Sequence, residues 1–194
     1  MRIALLITII LVLLLVTLYF MLIGCIDKSE PQIVSLPEPI SIIGLEIATS
    51  DKDIYRDVGT VANRFNSIKE KHPIPNVKEP WARIFASKDY NPETGTFTYI
   101  VGDVVTTIDS IPHGLRAYNI PATTYAVFRI KPKSRMAWGI TMGRMKRFIY
   151  TQWLPNSPYS ASSTFGDFEL HNEMSMGKSP EIRLYVTIEG KEGI

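Results

Sequence analysis

The chain of 194 residues is long enough for one domain with a buried core, and its composition, 45% hydrophobic and 10% aromatic, argues against disorder. Its formal net charge of +2 is too small to indicate a nucleic-acid partner, and we expect none. The single cysteine, Cys25, excludes an intramolecular disulfide.

An uncharged apolar run occupies residues 3–23. As a helix with a rise of about 1.5 Å per residue it would be about 30 Å long, which matches the hydrocarbon core of a bilayer. The run is longer than the apolar part of a cleavable secretory signal, about 7–15 residues, which favours an uncleaved anchor. Against this, "LIGC" at residues 22–25 resembles a bacterial lipobox, in which Cys25 would carry lipid. We therefore predict that residues 1–25 are a transmembrane anchor or a lipoprotein signal.

Both alternatives hold the rest of the chain at a membrane surface. Arg2 precedes the apolar run, which favours a cytoplasmic N-terminus and a domain outside the cytoplasm, in a bacterial cell envelope. Residues 26–41 are polar and rich in proline, which predicts an extended spacer. The folded domain is then expected over residues 42–194.

The sequence of the first half of this domain predicts the order strand, helix, strand, strand. Residues 42–49 have the β-branched content of a strand. "WARIFASKDY" and "TFTYIVGDVV", joined by "NPETG", predict an antiparallel hairpin. Between them, an apolar stripe at spacings of three and four predicts one helix. Its members are Ile54, Val58, Val61, Phe65 and Ile68.

The second half repeats this order. Residues 123–131 predict a strand, and Trp138, Met142, Met145 and Ile149 lie on one face of a predicted helix. "FGDFELHNE" and "EIRLYVTIE" predict a second hairpin. The fold class is therefore α+β, with a duplicated strand-helix-strand-strand unit in which an antiparallel sheet carries two helices and leaves a central cleft.

The order of elements, together with "FTYIVGDVV", "IPATTYAVFRI", "WLPNSPY", "DFELHNE" and "EIRLYVTIE", resembles the GyrI-like small-molecule-binding domain, the effector-binding module of AraC-type and multidrug-sensing MerR-type regulators. The resemblance covers residues 42–189 and implies a SOUL-like fold with an aromatic cleft and one glutamate, matched by Glu169. Two features depart from it. A membrane segment stands where regulators have a helix-turn-helix, and His171 replaces a tyrosine that is frequent in the family.

A carboxylate in an apolar pocket loses hydration, which favours a neutral acid or a cation beside it, and aromatic faces attract cations further. The predicted ligand-binding residues are Glu169, Tyr185, Tyr99, Phe97, Trp153 and Trp138. Strand alternation places Glu169 towards the cleft and Phe168 behind the sheet. The plainer alternatives are a solvated strand position for Glu169 and core packing for Trp138.

These observations predict a membrane-tethered, extracytoplasmic domain that binds lipophilic, cationic or aromatic small molecules. Two alternatives remain open. One is a hydrolase of electrophilic small molecules in which Glu169 is the general acid or base, and the other is a module that binds a protein partner. His72, His113 and His171 lack the spacing of metal ligands, so we expect neither a metal site nor a cofactor.

Overall fold

The computed structural model describes residues 2–23, 25–133, 137–162 and 165–191. The helices are α1 (Arg2–Ile23), α2 (Ile54–Lys71), α3 (Trp138–Phe148) and α4 (Leu154–Asn156), with a π-helical turn at Ile149–Trp153 between the last two. The strands are β1 (Gln32–Ser35), β2 (Ile40–Ser50), β3 (Arg83–Asn91), β4 (Thr96–Val104), β5 (Arg116–Ile120), β6 (Thr124–Ile130), β7 (Tyr159–Ala161), β8 (Asp167–His171) and β9 (Ile182–Gly190).

Helix α1 covers the apolar N-terminal run. Its described side chains, at residues 5–19, are exposed, and so is Cys25 beyond its end. Judged on the residues that the structure describes, no helix has the length and hydropathy of a membrane span.

The sheet is antiparallel, in the order β1-β6-β9-β8-β3-β4-β2-β5, and β7 pairs separately with β9. The strands of the first half are β2, β4 and β3, those of the second half are β6, β9 and β8, and the two sets meet where β3 pairs with β8. This arrangement confirms the predicted α+β fold with a repeated strand-helix-strand-strand unit. The boundary between the halves lies in the middle of the sheet.

Three strands were not predicted. β5 and β7 are short, and β1 lies inside the segment predicted to be a spacer. β1 pairs with β6, with Ile33 opposite Ala126, so part of the predicted spacer is an edge strand of the sheet. The prolines around it do favour an extended backbone, as predicted, but that backbone is hydrogen-bonded to the domain.

Both faces of the sheet are buried. On one face, α2 covers an apolar cluster that includes Val61 and Phe65, and α3 covers a second cluster that includes Met145 and Ile149. The opposite face encloses a third cluster to which β2, β3, β4, β6 and β8 contribute. Short connections at residues 36–39 and 121–123 join strands from opposite ends of the sheet order, so the sheet curls around this third cluster.

Candidate functional site

The two long helices of the domain leave the middle of the sheet between them. α2 packs on β2 and β4, whereas α3 packs on β6, so β3 and β8 lie between the helices. We call the surface of β3 and β8 that lies between α2 and α3 the cleft. Directly opposed residues of an antiparallel pair share a face, so Glu169 on β8 and its partner Phe85 on β3 are at the centre of its floor.

Glu169 is the acid that the sequence singles out, and it is 7% exposed. Among the described residues its hydrogen-bond partner is His171, whose Nε2 lies 3.4 Å from Oε2. The alternation of β8 also places Phe168 on the opposite face, where it is fully buried, as predicted. Glu169 is thus a nearly buried carboxylate on the face that the helices flank.

A chain of aromatic rings leads away from His171, the partner of this carboxylate. The ring of Phe85 has its centroid 4.9 Å from that of His171 and 6.2 Å from that of Tyr99. Trp138, at the start of α3, lies 5.2 Å from His171, and Phe97 lies 6.4 Å from Tyr99. Burial, with Glu169 and Asp167 nearby, raises the pKa of Tyr99 well above its ordinary value, so its phenol stays neutral.

A second acid lies on the same strand face. Asp167 is 5% exposed and accepts hydrogen bonds from Lys146 Nζ at 2.7 Å and from the Tyr150 hydroxyl at 3.0 Å. Burial alone would lower the pKa of Lys146, but Asp167 and Glu169 outweigh it and raise that pKa. Burial and Asp167 raise the pKa of Tyr150 well above its ordinary value. Lys146 is therefore a cation, and Tyr150 a neutral donor.

Tyr55, near the start of α2, reaches across to α3. A Cβ added at Gly139 would lie 3.5 Å from the Tyr55 ring, and one added at Gly143 would overlap its hydroxyl. The two glycines therefore make room for this ring on α3. Tyr55 is 66% exposed, so it joins the two helices at the outer side of the cleft.

The structure brings four of the predicted site residues together in the cleft: Glu169, Tyr99, Phe97 and Trp138. Tyr185 lies on the opposite face, where its ring stacks on Phe168 at 4.4 Å. The prediction placed Tyr185 in the cleft because it points away from the apolar residues of its strand. Those residues pack under α3, and the cleft is on the helix side, so Tyr185 joins the third cluster instead.

Trp153 also lies outside the cleft. Its ring packs edge-on against Phe128 and stacks with Tyr159, and its Nε1 donates to Glu30 at 3.1 Å. Trp153, Tyr159 and Glu30 line a groove of about 330 Å³ that is separate from the cleft. The π-helical turn that contains Trp153 adds a residue to the helical turn, which rotates the end of α3 relative to a regular helix.

Sequence reasoning missed several residues that the fold brings to the cleft, namely Phe85, Asp167, Lys146, Tyr150 and Tyr55. Asp167 stands two residues before Glu169, so strand alternation could have placed it on the same face. Gly139, Gly143 and Lys146 recur at helical spacing, which could have shown a second face of α3. No sequence pattern indicates the position of Tyr55, because its role depends on a contact with a different helix.

The family model described as "integron-associated effector binding protein" matches residues 32–188. Its match begins at β1. A comparison with curated protein sequences gives no significant match.

Solved structures share the fold at low sequence identity. An integron cassette protein from the mobile metagenome of Vibrio cholerae is 10% identical, with a TM-score of 0.58 over 83% of this chain and 97% of that one. A protein solved with bound tetraphenylphosphonium is 11% identical, with a TM-score of 0.63 over 84% and 95%. The C-terminal domain of EcmrR is 12% identical, with a TM-score of 0.58 over 85% and 100%.

Proposed function

The chain belongs to the family of integron-associated effector-binding proteins, and from this premise we propose that its cleft binds lipophilic organic cations with Glu169 as the counter-charge. One observation carries the proposal. Glu169 is 7% exposed, and its partner among the described residues is a histidine rather than a lysine or arginine. A carboxylate removed from water in this way is stabilised by a cation that enters beside it.

The surroundings of Glu169 select the kind of cation. A small hydrated ion would lose its water on entering an apolar cleft, whereas a bulky delocalised cation carries less hydration and offers apolar surface. Phe85, Phe97, Tyr99 and Trp138 present rings whose faces attract cations, each by about 0.5–2 kcal/mol. The neighbour solved with tetraphenylphosphonium supports this class of ligand, since that ion is bulky, aromatic and positively charged.

We also propose that the domain is held at a membrane, outside the cytoplasm. The support is the uncharged run at residues 3–23, preceded by Arg2. Lipophilic cations accumulate at membranes, so a tethered domain would meet its ligands where they are concentrated. Whether Cys25 carries lipid is tested by mass spectrometry of the protein from bacterial membranes, because acylation there adds a defined mass to a new N-terminus.

The binding proposal is tested with the full chain in lipid nanodiscs, titrated with tetraphenylphosphonium and followed by equilibrium dialysis. We expect Glu169→Gln to weaken binding about tenfold or more, because it removes the buried charge and keeps the shape of the side chain. Glu173→Gln is the matched control, since Glu173 is an exposed acid four residues away. Equal affinities of the two variants would contradict the role of Glu169.

A parallel incubation with an electrophilic ester, analysed for product, separates binding from hydrolysis. Intact ester in the presence of wild-type protein is expected if the cleft only binds. Product that disappears in Glu169→Gln would instead assign the acid to catalysis.

A further inference from the structure

The cleft contains two buried acids, and they are not equivalent. Asp167 and Glu169 are two residues apart on β8 and face the same side. Asp167 already has a cation, since Lys146 donates to it at 2.7 Å and the pair is mostly buried. Glu169 has His171. The protein therefore pairs one acid with a lysine and the other with a histidine.

The position of Lys146 on α3 makes this counter-ion part of the cleft. Gly139, Gly143, Lys146 and Tyr150 follow one another at helical spacing, and the last two both reach Asp167. The lysine side chain is 26% exposed, so it is partly open to solvent although its ammonium contacts the buried Asp167. Glu169 contributes to the raised pKa of Lys146, which means that the ammonium and the second acid affect each other electrostatically.

Resting on the proposed function, we propose that Lys146 sets the charge preference of the cleft, shifting it away from dications and towards monocations. With Lys146 in place, the two acids and one ammonium leave a single negative charge for the ligand. A second positive charge on the ligand would gain no partner and would lie close to the ammonium. Lys146 is thus a specificity-determining residue that acts through the field it creates.

The test uses two probes of the same shape. One is benzyl viologen, a dication, and the other is its analogue in which a phenyl ring replaces one pyridinium ring, a monocation. Coulomb energy scales with the charge of the ligand, so any change of charge in the cleft shifts the logarithm of the dication affinity about twice as far as that of the monocation. A purely structural change would not follow this rule.

The variants form a double-mutant cycle in the full chain. Lys146→Met is expected to tighten monocation binding about fivefold and dication binding about 25-fold, because it frees the second acid. Asp167→Asn is expected to weaken monocation binding about fivefold and dication binding about 25-fold, because it leaves the ammonium without its aspartate. The double variant restores the original net charge and is expected to bind both probes within about twofold of wild type. Arg147→Met, which removes an exposed cation beside Lys146, is the control.

The proposal is overturned if the ratio of the two affinities is the same in wild type and Lys146→Met, or if the double variant binds no better than Asp167→Asn. If Lys146→Met does not fold, the comparison of Asp167→Asn with the double variant still decides the question. A different outcome would contradict the proposed function itself. In that case the wild-type protein binds neither probe, or Glu169→Gln changes neither affinity.

Discussion

Each of the two helices that cover the sheet places a lysine against a buried aspartate, but the two pairs have different surroundings. Near the end of α2, Lys69 pairs with the buried Asp103 on β4, and near the end of α3, Lys146 pairs with the buried Asp167 on β8. Asp103 also receives a hydrogen bond from Arg83 Nε at 3.0 Å, so two cations surround one acid. Around Asp167 the balance is reversed, because its second donor is the neutral Tyr150 and the next acid on the strand is Glu169.

The two halves of the repeat therefore differ in the balance of charge on the helix side of the sheet. In the first half, Lys69 and Arg83 supply two cations to the buried Asp103. The side chains that this half contributes to the cleft are mostly aromatic, namely Phe85, Phe97 and Tyr99. The second half supplies the acids. In the proposed binding mode, a ligand cation would contact three rings from the first half and would lie beside the acids and Trp138 of the second half.

The largest effect expected from the difference between the two ion pairs is on the free energy of unfolding. Asp103→Asn leaves Lys69 and Arg83 without their acid, and breaking such a partly buried network costs about 3–5 kcal/mol. Asp167→Asn is expected to cost less, because Lys146 keeps Glu169 as a neighbouring negative charge. Urea unfolding of the full chain, followed by tryptophan fluorescence, measures both. Equal losses would show that the two pairs are the same kind of site.

A smaller effect concerns the rings of the first half. Phe97→Leu removes an aromatic face but keeps apolar volume, so we expect affinity for tetraphenylphosphonium to fall about two- to tenfold. The benzyl viologen pair should keep its affinity ratio in this variant, since no charge has changed. Tyr185→Phe is the control on the opposite face of the sheet, and an equal loss there would contradict the placement of the site.

The smallest effect concerns the contact between the helices. Gly139→Ala meets the Tyr55 ring at an ordinary distance, so we expect it to stabilise the protein by about 0.5–1 kcal/mol through helix propensity. Gly143→Ala must displace the Tyr55 hydroxyl, so it should gain less stability and should speed ligand association by opening the outer side of the cleft. Thermal unfolding and stopped-flow binding compare the two. Identical behaviour would show that Tyr55 does not close the cleft.

The order of helices and strands can be predicted from the sequence because each element has a local pattern, such as the apolar stripe from Ile54 to Ile68 or the alternation of Phe168 and Glu169. It does not reveal Tyr185's surroundings, because the alternation rule assumes one buried face and this sheet buries both. It does not reveal the partner of Lys146 either. The two residues of that pair are on different elements, and only the packing of α3 across the sheet brings them together.

The short strand β1 determines where a fragment without the apolar N-terminal run should begin. Its four residues cover the edge of β6, whose backbone groups would otherwise be free to pair with another chain. A fragment that starts at residue 42 loses this cover and is expected to self-associate through β6, whereas one that starts at residue 26 keeps it. Light scattering of the two fragments would show the difference. On this expectation, β1 protects the edge of the sheet from pairing with another chain.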